Sequence, residues 1–168
     1  MADTDKGASN NERLIAAARQ DNEEMLFEVF EQGGYDINFQ DGLGNTALHY
    51  AASLGNTDVL EHILSQDNCD VDPINRLEGA TPLHLALKLK DEELRQYVVE
   101  SLLDAGADTT IKDKEGDTAL DLVPADDEKI LTLIRKSRAQ ASFSADDIAS
   151  DDDDDKLGSG SGSGSEEE

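Results

Sequence analysis

Three histidines, one cysteine and many adjacent carboxylates are the residues of this chain whose chemistry first invites a catalytic or metal-binding reading. His49, His62, His84 and Cys69 do not stand at the short, paired spacings from which zinc sites are built. Cys69 sits in a polar stretch and is expected to be an inert thiol; activation would need a nearby base or cation, and Arg76 is the one weak candidate. Asp126-Asp127 has the form of an acid/base pair, but with 39 acidic residues in 168 such neighbours arise by chance. No nucleophile motif and no glycine-rich phosphate loop accompanies them. The chain is therefore expected to be non-catalytic, with no metal and no cofactor.

The elements around those residues explain the histidines better. Gly79-Ala80-Thr81-Pro82-Leu83-His84-Leu85-Ala86 occurs in full once. Altered forms are Gly44-Asn45-Thr46-Ala47-Leu48-His49-Tyr50-Ala51 upstream and Gly116-Asp117-Thr118-Ala119-Leu120-Asp121-Leu122 downstream. The threonines lie 35 and 37 residues apart. Self-similarity at that period signals stacked supersecondary units. Each threonine is placed to cap a helix, accepting a hydrogen bond from an otherwise orphan backbone N–H. Pro82 then takes the first helical position, where its missing donor costs nothing.

Taken in order, residues 1–10 read as a loose, polar terminus. From Glu12, Leu14, Ile15, Ala17 and Ala18 line one helix; Met25, Leu26, Val29 and Phe30 line a second, closed by Gly33-Gly34. The next unit repeats the plan with Leu48, Ala51 and Ala52, then Val59, Leu60, Ile63 and Leu64. In the third, His84 lies four residues farther from Val98 than His49 lies from Val59. The insert falls within residues 88–96 and is expected to lengthen a helix or the interhelical turn by about one turn, keeping the apolar face in phase. The loop 66–77 carries two extra residues. In the fourth unit Pro124 shortens the first helix, and Ile130, Leu131, Leu133 and Ile134 form the last apolar face. Arg135-Lys136-Ser137-Arg138 is expected at that helix's C-terminus, where cations favour the dipole. Beyond Gln140 the apolar periodicity stops, and an acidic, Gly/Ser-rich tail is expected to be disordered. Within it Asp152-Asp153-Asp154-Asp155-Lys156 also has the form of an enteropeptidase target, which leaves both a natural and an appended origin open. The resulting division is a flexible 1–10, a repeat domain 11–138 (units 11–40, 41–75, 76–112 and 113–138) and a tail 139–168.

The formal net charge is −25, of which −9 falls in residues 139–168. Both parts repel polyanions, which disfavours nucleic acid and acidic membrane surfaces and favours a basic protein partner. A single cysteine excludes an intramolecular disulfide and fits a reducing compartment. No apolar run is long enough to span a bilayer, and the polar first residues lack a signal-peptide pattern. Cytosol or nucleus is the expected location.

Gly-x-Thr-Pro-Leu-His-x-Ala, a second helix and Ala105-Gly106-Ala107-Asp108 together resemble the ankyrin repeat, over about residues 12–138 as four units with degenerate ends. The resemblance implies an all-α repeat solenoid of helix–turn–helix pairs with β-hairpin-like loops. It implies that His49 and His84 hold neighbouring units together by hydrogen bonding. It also implies that hairpin tips and first helices bind a protein partner. Those positions here are Gln40, Asp41, Leu43 and Asn45, then Tyr50, Ser53 and Leu54. The next unit supplies Arg76, Leu77, Glu78, Leu85, Lys88 and Leu89, and the last Lys112, Lys114 and Glu115. A monomer is expected on its own. In plan the chain is also similar to small acidic fungal ankyrin chaperones of a ribosomal protein, which makes an escort for a basic client one alternative. An enzyme inhibitor or regulatory subunit is the other.

Overall fold

In the computed structural model, which describes residues 9–149, eight helices follow one another without a strand among the described residues. They are α1 (Asn10–Gln20), α2 (Glu23–Gln32), α3 (Ala47–Leu54), α4 (Thr57–Leu64), α5 (Pro82–Ala86), α6 (Glu92–Asp104), α7 (Ala119–Leu122) and α8 (Glu128–Ala149). The chain divides into two units, Met1–Leu133 and Ile134–Glu168, with α8 running across the division. Residues 1–8 and the acidic Gly/Ser stretch from Ser150 onward lie outside the described residues, and with them most of the tail expected to be disordered.

In the first unit, first helices pack on first helices (α1 on α3, α3 on α5) while each second helix backs its own partner. The small residues explain how. Ala17, Ala18, Ala51, Ala52 and Ala86 are fully buried, so adjacent backbones approach closely. Leu14, Leu26, Leu48, Leu60, Ile63, Leu83 and Leu102 fill the space between the two layers. Each such side chain contributes about 1.5–3 kcal/mol on leaving water. No unit could bury its apolar stripe alone, and stacking completes the core.

Two expectations from sequence need correction. Helix α1 begins at Asn10, inside the stretch read as a loose terminus, because Ser9 caps it. Ser9 Oγ accepts from the Glu12 amide and the Glu12 carboxylate accepts from the Ser9 amide, each at 3.2 Å. Ser9-Asn10-Asn11-Glu12 is a capping box legible in the sequence. At the other end the boundary at 138/139 falls inside a helix. Helix α8 continues to Ala149, so residues 135–138 sit along the helix and not at its C-terminus. Residues 139–149 contain neither Gly nor Pro, and loss of apolar periodicity alone does not break backbone hydrogen bonding. Of the two outcomes expected for the four-residue insert, a longer helix or a longer turn, the structure shows the helix. The insert adds a turn to the N-terminus of α6, which has 13 residues against 8 in α4. Asp91 caps the added turn, its Oδ1 accepting from the amides of Glu93 and Leu94 at 2.9 and 3.1 Å.

Candidate protein-binding face

The loops between helix pairs are built on one recurring position, held by Asp or Asn. Asp41 Oδ1 accepts from the amides of Leu43 and Asn45, each at 3.0 Å. Asn75 Oδ1 accepts from Glu78 and Ala80, at 3.1 and 3.0 Å. Asp113 Oδ1 accepts from Glu115 and Asp117, each at 2.9 Å. A short acceptor inside the loop satisfies amides that no strand partner reaches. Adjacent loops are then joined backbone to backbone. The Arg76 amide donates to the Leu43 carbonyl at 2.9 Å, and the Lys114 amide to the Glu78 carbonyl at 3.0 Å.

The histidines bind the stack from within. The backbone amide of Thr46 donates to His49 Nδ1 at 3.0 Å, so that nitrogen carries no proton. Nε2 therefore carries it, and donates to the Ala80 carbonyl of the next unit at 2.9 Å. His84 repeats the arrangement, Thr81 amide to Nδ1 at 3.1 Å and Nε2 to the Asp117 carbonyl at 2.9 Å. Burial pushes the His49 imidazole below its ordinary value, as a neutral ring in an apolar stack requires. Asp121 replaces the histidine in the last unit. Its Oδ2 accepts from the Thr118 amide and hydroxyl at 2.9 and 3.0 Å, closing the cap without reaching onward.

Against this internally tied framework, apolar side chains stand out in water. Leu43 is 50% exposed, Leu54 50% and Leu77 65%. Leu43 and Leu77 occupy neighbouring loop tips. The second loop closes between Asn75 and Ala80, one residue longer than Asp41 to Asn45, and projects Leu77 farther.

A model of three ankyrin repeats matches residues 14–113. The chain is 34% identical over 142 residues to Ankyrin repeat-containing protein YGL242C of Saccharomyces cerevisiae, across 77% of this chain and 78% of that one. The chain belongs to the ankyrin-repeat proteins. It is also 29% identical over 109 residues to E3 ubiquitin-protein ligase hecd-1 of Caenorhabditis elegans and 32% identical over 114 residues to Diacylglycerol kinase zeta of Rattus norvegicus. It spans only 4% and 12% of those proteins, against 65% and 68% of itself, so these likenesses are regional. Ankyrin repeats are a protein–protein interaction fold. No described helix is long and apolar enough to cross a membrane.

Placed on the ankyrin stack, the residues named from sequence separate into two groups. Leu43, Leu54, Arg76, Leu77, Lys88, Lys114 and Glu115 are exposed, with Lys88 paired to Glu78 at 3.0 Å. Gln40 and Lys112 are exposed too, and Leu85 is half-buried. The others are engaged internally. Asp41 Oδ2 accepts from Tyr50 Oη, and the Arg19 guanidinium lies 5.4 Å from the centroid of the Tyr50 ring. Burial alone would raise the Asp41 carboxyl, but its bonds from Tyr50, Asn45 and Leu43 outweigh that and hold it below the ordinary value. Asn45 accepts from the Asn75 amide side chain at 2.9 Å and Ser53 donates to the Tyr50 carbonyl at 3.3 Å, while Arg76, though exposed, also reaches the Gly42 carbonyl through Nη1 at 3.3 Å. Leu89 fills space beside Gly55.

Sequence reasoning missed Arg95 and Ile74. Arg95 lies in the inserted turn and bonds Asp127 and the Leu89 carbonyl. Ile74 is 49% exposed beside the second loop. The signal for Arg95 was its place at a helical phase otherwise held by buried residues. For Ile74 there was none.

Proposed function

We propose that this ankyrin-repeat chain is a non-catalytic binding protein of the cytosol or nucleus that grips a protein partner with its loop tips and first helices. The observation that supports it is the exposure of Leu43, Leu77 and Leu54 on elements whose polar groups are already tied to one another. Scattered single leucines are ordinary, but two on adjacent loop tips and a third at the far end of the intervening first helix offer a partner separate apolar anchor points. Replacing all three with Ser leaves the core untouched, so the unfolding midpoint should stay close to wild type. Affinity capture from source cells, with bound proteins identified by mass spectrometry, should lose the principal partner in the triple variant. Retention of that partner by a folded triple variant overturns the assigned surface.

A second reading makes the partner basic and the protein its escort. It is favoured by the net charge of −25, which repels nucleic acids and attracts cationic chains. Capture through such attraction weakens steeply with rising salt, whereas apolar capture through the leucines does not.

A further inference from the structure

The negative charge is not spread evenly over the stack. The three second helices α2, α4 and α6 carry ten carboxylates, nine of them exposed, and their one arginine, Arg95, is buried. The first helices α1, α3 and α5 carry one carboxylate and two arginines. The loops add the cations Arg76, Lys112 and Lys114 and the carboxylates Asp41, Glu78, Asp113, Glu115 and Asp117, and Lys88 follows α5, so this side comes out near balance. The two sides of the repeat unit therefore differ in sign balance, and the acidic side is the outer one.

That outer side also presents aromatic rings. Phe27 on α2 and Tyr97 on α6 are each 45% exposed, and they bracket the consecutive residues Glu61 and His62 of α4. The Phe27 ring meets the His62 ring edge-on at 4.7 Å, and Tyr97 Oη donates to Glu61. One band thus crosses three helices, with an aromatic ring at either end and, between them, Glu61 and the His62–Glu23 pair at 2.9 Å, the other exposed carboxylates of the three helices lying around it. Packing in the stack does not require these rings, because Leu26, Val29, Val98 and Val99 already fill the inner faces of the same helices.

We infer that this outer band of α2, α4 and α6 is a docking surface for an arginine-rich segment of a protein partner, separate from the loop-tip face. Guanidinium is the fitting cation. It stacks flat on an aromatic ring while its edge donates in pairs to carboxylates, which an ammonium does less well. A polyanion is repelled from the same band. This assignment rests on the basic-partner reading above and adds where such a segment sits.

The test uses the full chain, isotopically labelled, titrated with oligoarginine and in parallel with oligolysine of equal length, at low salt. Oligoarginine should perturb the amides of Phe27, Glu61, His62 and Tyr97, and bind more tightly than oligolysine. The double variant Phe27→Ala, Tyr97→Ala should weaken oligoarginine about tenfold while its thermal midpoint confirms the fold. Perturbations confined to the loop tips or to residues 151–155, or equal affinity for the double variant, overturn this surface alone. Absence of any oligoarginine binding overturns the basic-partner reading with it.

Discussion

Arg95 and Asp127 are joined by two hydrogen bonds to one carboxylate oxygen, Nη2 to Oδ2 at 2.9 Å and Nε to Oδ2 at 3.2 Å, with side chains only 9% and 12% exposed. The remaining guanidinium nitrogen Nη1 donates to the Leu89 carbonyl at 2.7 Å. Asp127 Oδ1 in turn accepts from the Ile130 amide at the start of α8. The inserted turn of the third unit is thereby tied to the last helix of the stack.

Removing one member leaves the other charge shielded from water and unpaired, which costs more than the pair itself contributes. Arg95→Ala should lower the unfolding free energy by about 3 kcal/mol, read as a reduced urea midpoint. Asp127→Ala should cost at least as much, because it also removes the bond to the start of α8. A midpoint unchanged in both variants would show that the insert does not anchor the fourth unit.

His49 makes stability depend on pH. Its folded value is pushed down by burial, while the unfolded chain titrates near about 6.5. Below that pH the unfolded state binds the extra proton and gains ground. The contribution is complete above about 6.5 and is lost as pH falls toward the folded value, at up to about 1.4 kcal/mol per pH unit. Neutralising carboxylates on a chain of net −25 relieves repulsion over the lower part of the same range and acts oppositely. The informative measurement is the difference between wild type and His49→Gln across this window. Wild type should lose more stability on acidification than the variant; parallel curves would count against the buried neutral ring.

Gly44 and Gly79 mark where one loop seats on the next. Both have positive φ, +82° and +63°. A Cβ at Gly44 would lie 2.6 Å from the Arg76 amide nitrogen, and one at Gly79 would lie 2.9 Å from Lys114 Cγ and 3.1 Å from its amide nitrogen. At Gly116, φ is +88° but no atom lies within 4 Å. All three Ala variants pay the left-handed strain, about 1–2 kcal/mol. Gly44→Ala should fall in thermal midpoint beyond Gly116→Ala, since backbone must also move. Equal losses would mean that the loops give way without cost.

The Cys69 thiol is pushed up to about 11, by burial first and then by the Asp70 charge. Against the unperturbed value of 9.0 its thiolate is roughly a hundredfold scarcer at neutral pH. Alkylation by iodoacetamide at neutral pH should be far slower in the native chain than in urea. Comparable rates would contradict the shielded position.

The sequence by itself determined the repeat, its phase, and the division of each unit into cap, first helix and second helix. Thr46, Thr81 and Thr118 cap locally, and the apolar positions recur at helical spacing, so both signals are written within a few residues. It set Leu43, Leu54 and Leu77 at loop tips and a helix end without deciding between exposure and burial against a neighbouring loop, and the fold leaves all three exposed. Tertiary structure decided what those local signals cannot contain. Tyr50 and Asp41 shared one assigned surface in sequence, yet the folded loop turns the tyrosine hydroxyl onto the carboxylate and takes both into internal bonding. Arg95 and Asp127 are 32 residues apart, and only stacking of the third unit on the fourth brings them within reach. The sign difference between the two sides is likewise invisible to a composition count. A net charge sums over the chain, whereas a partner meets one face at a time.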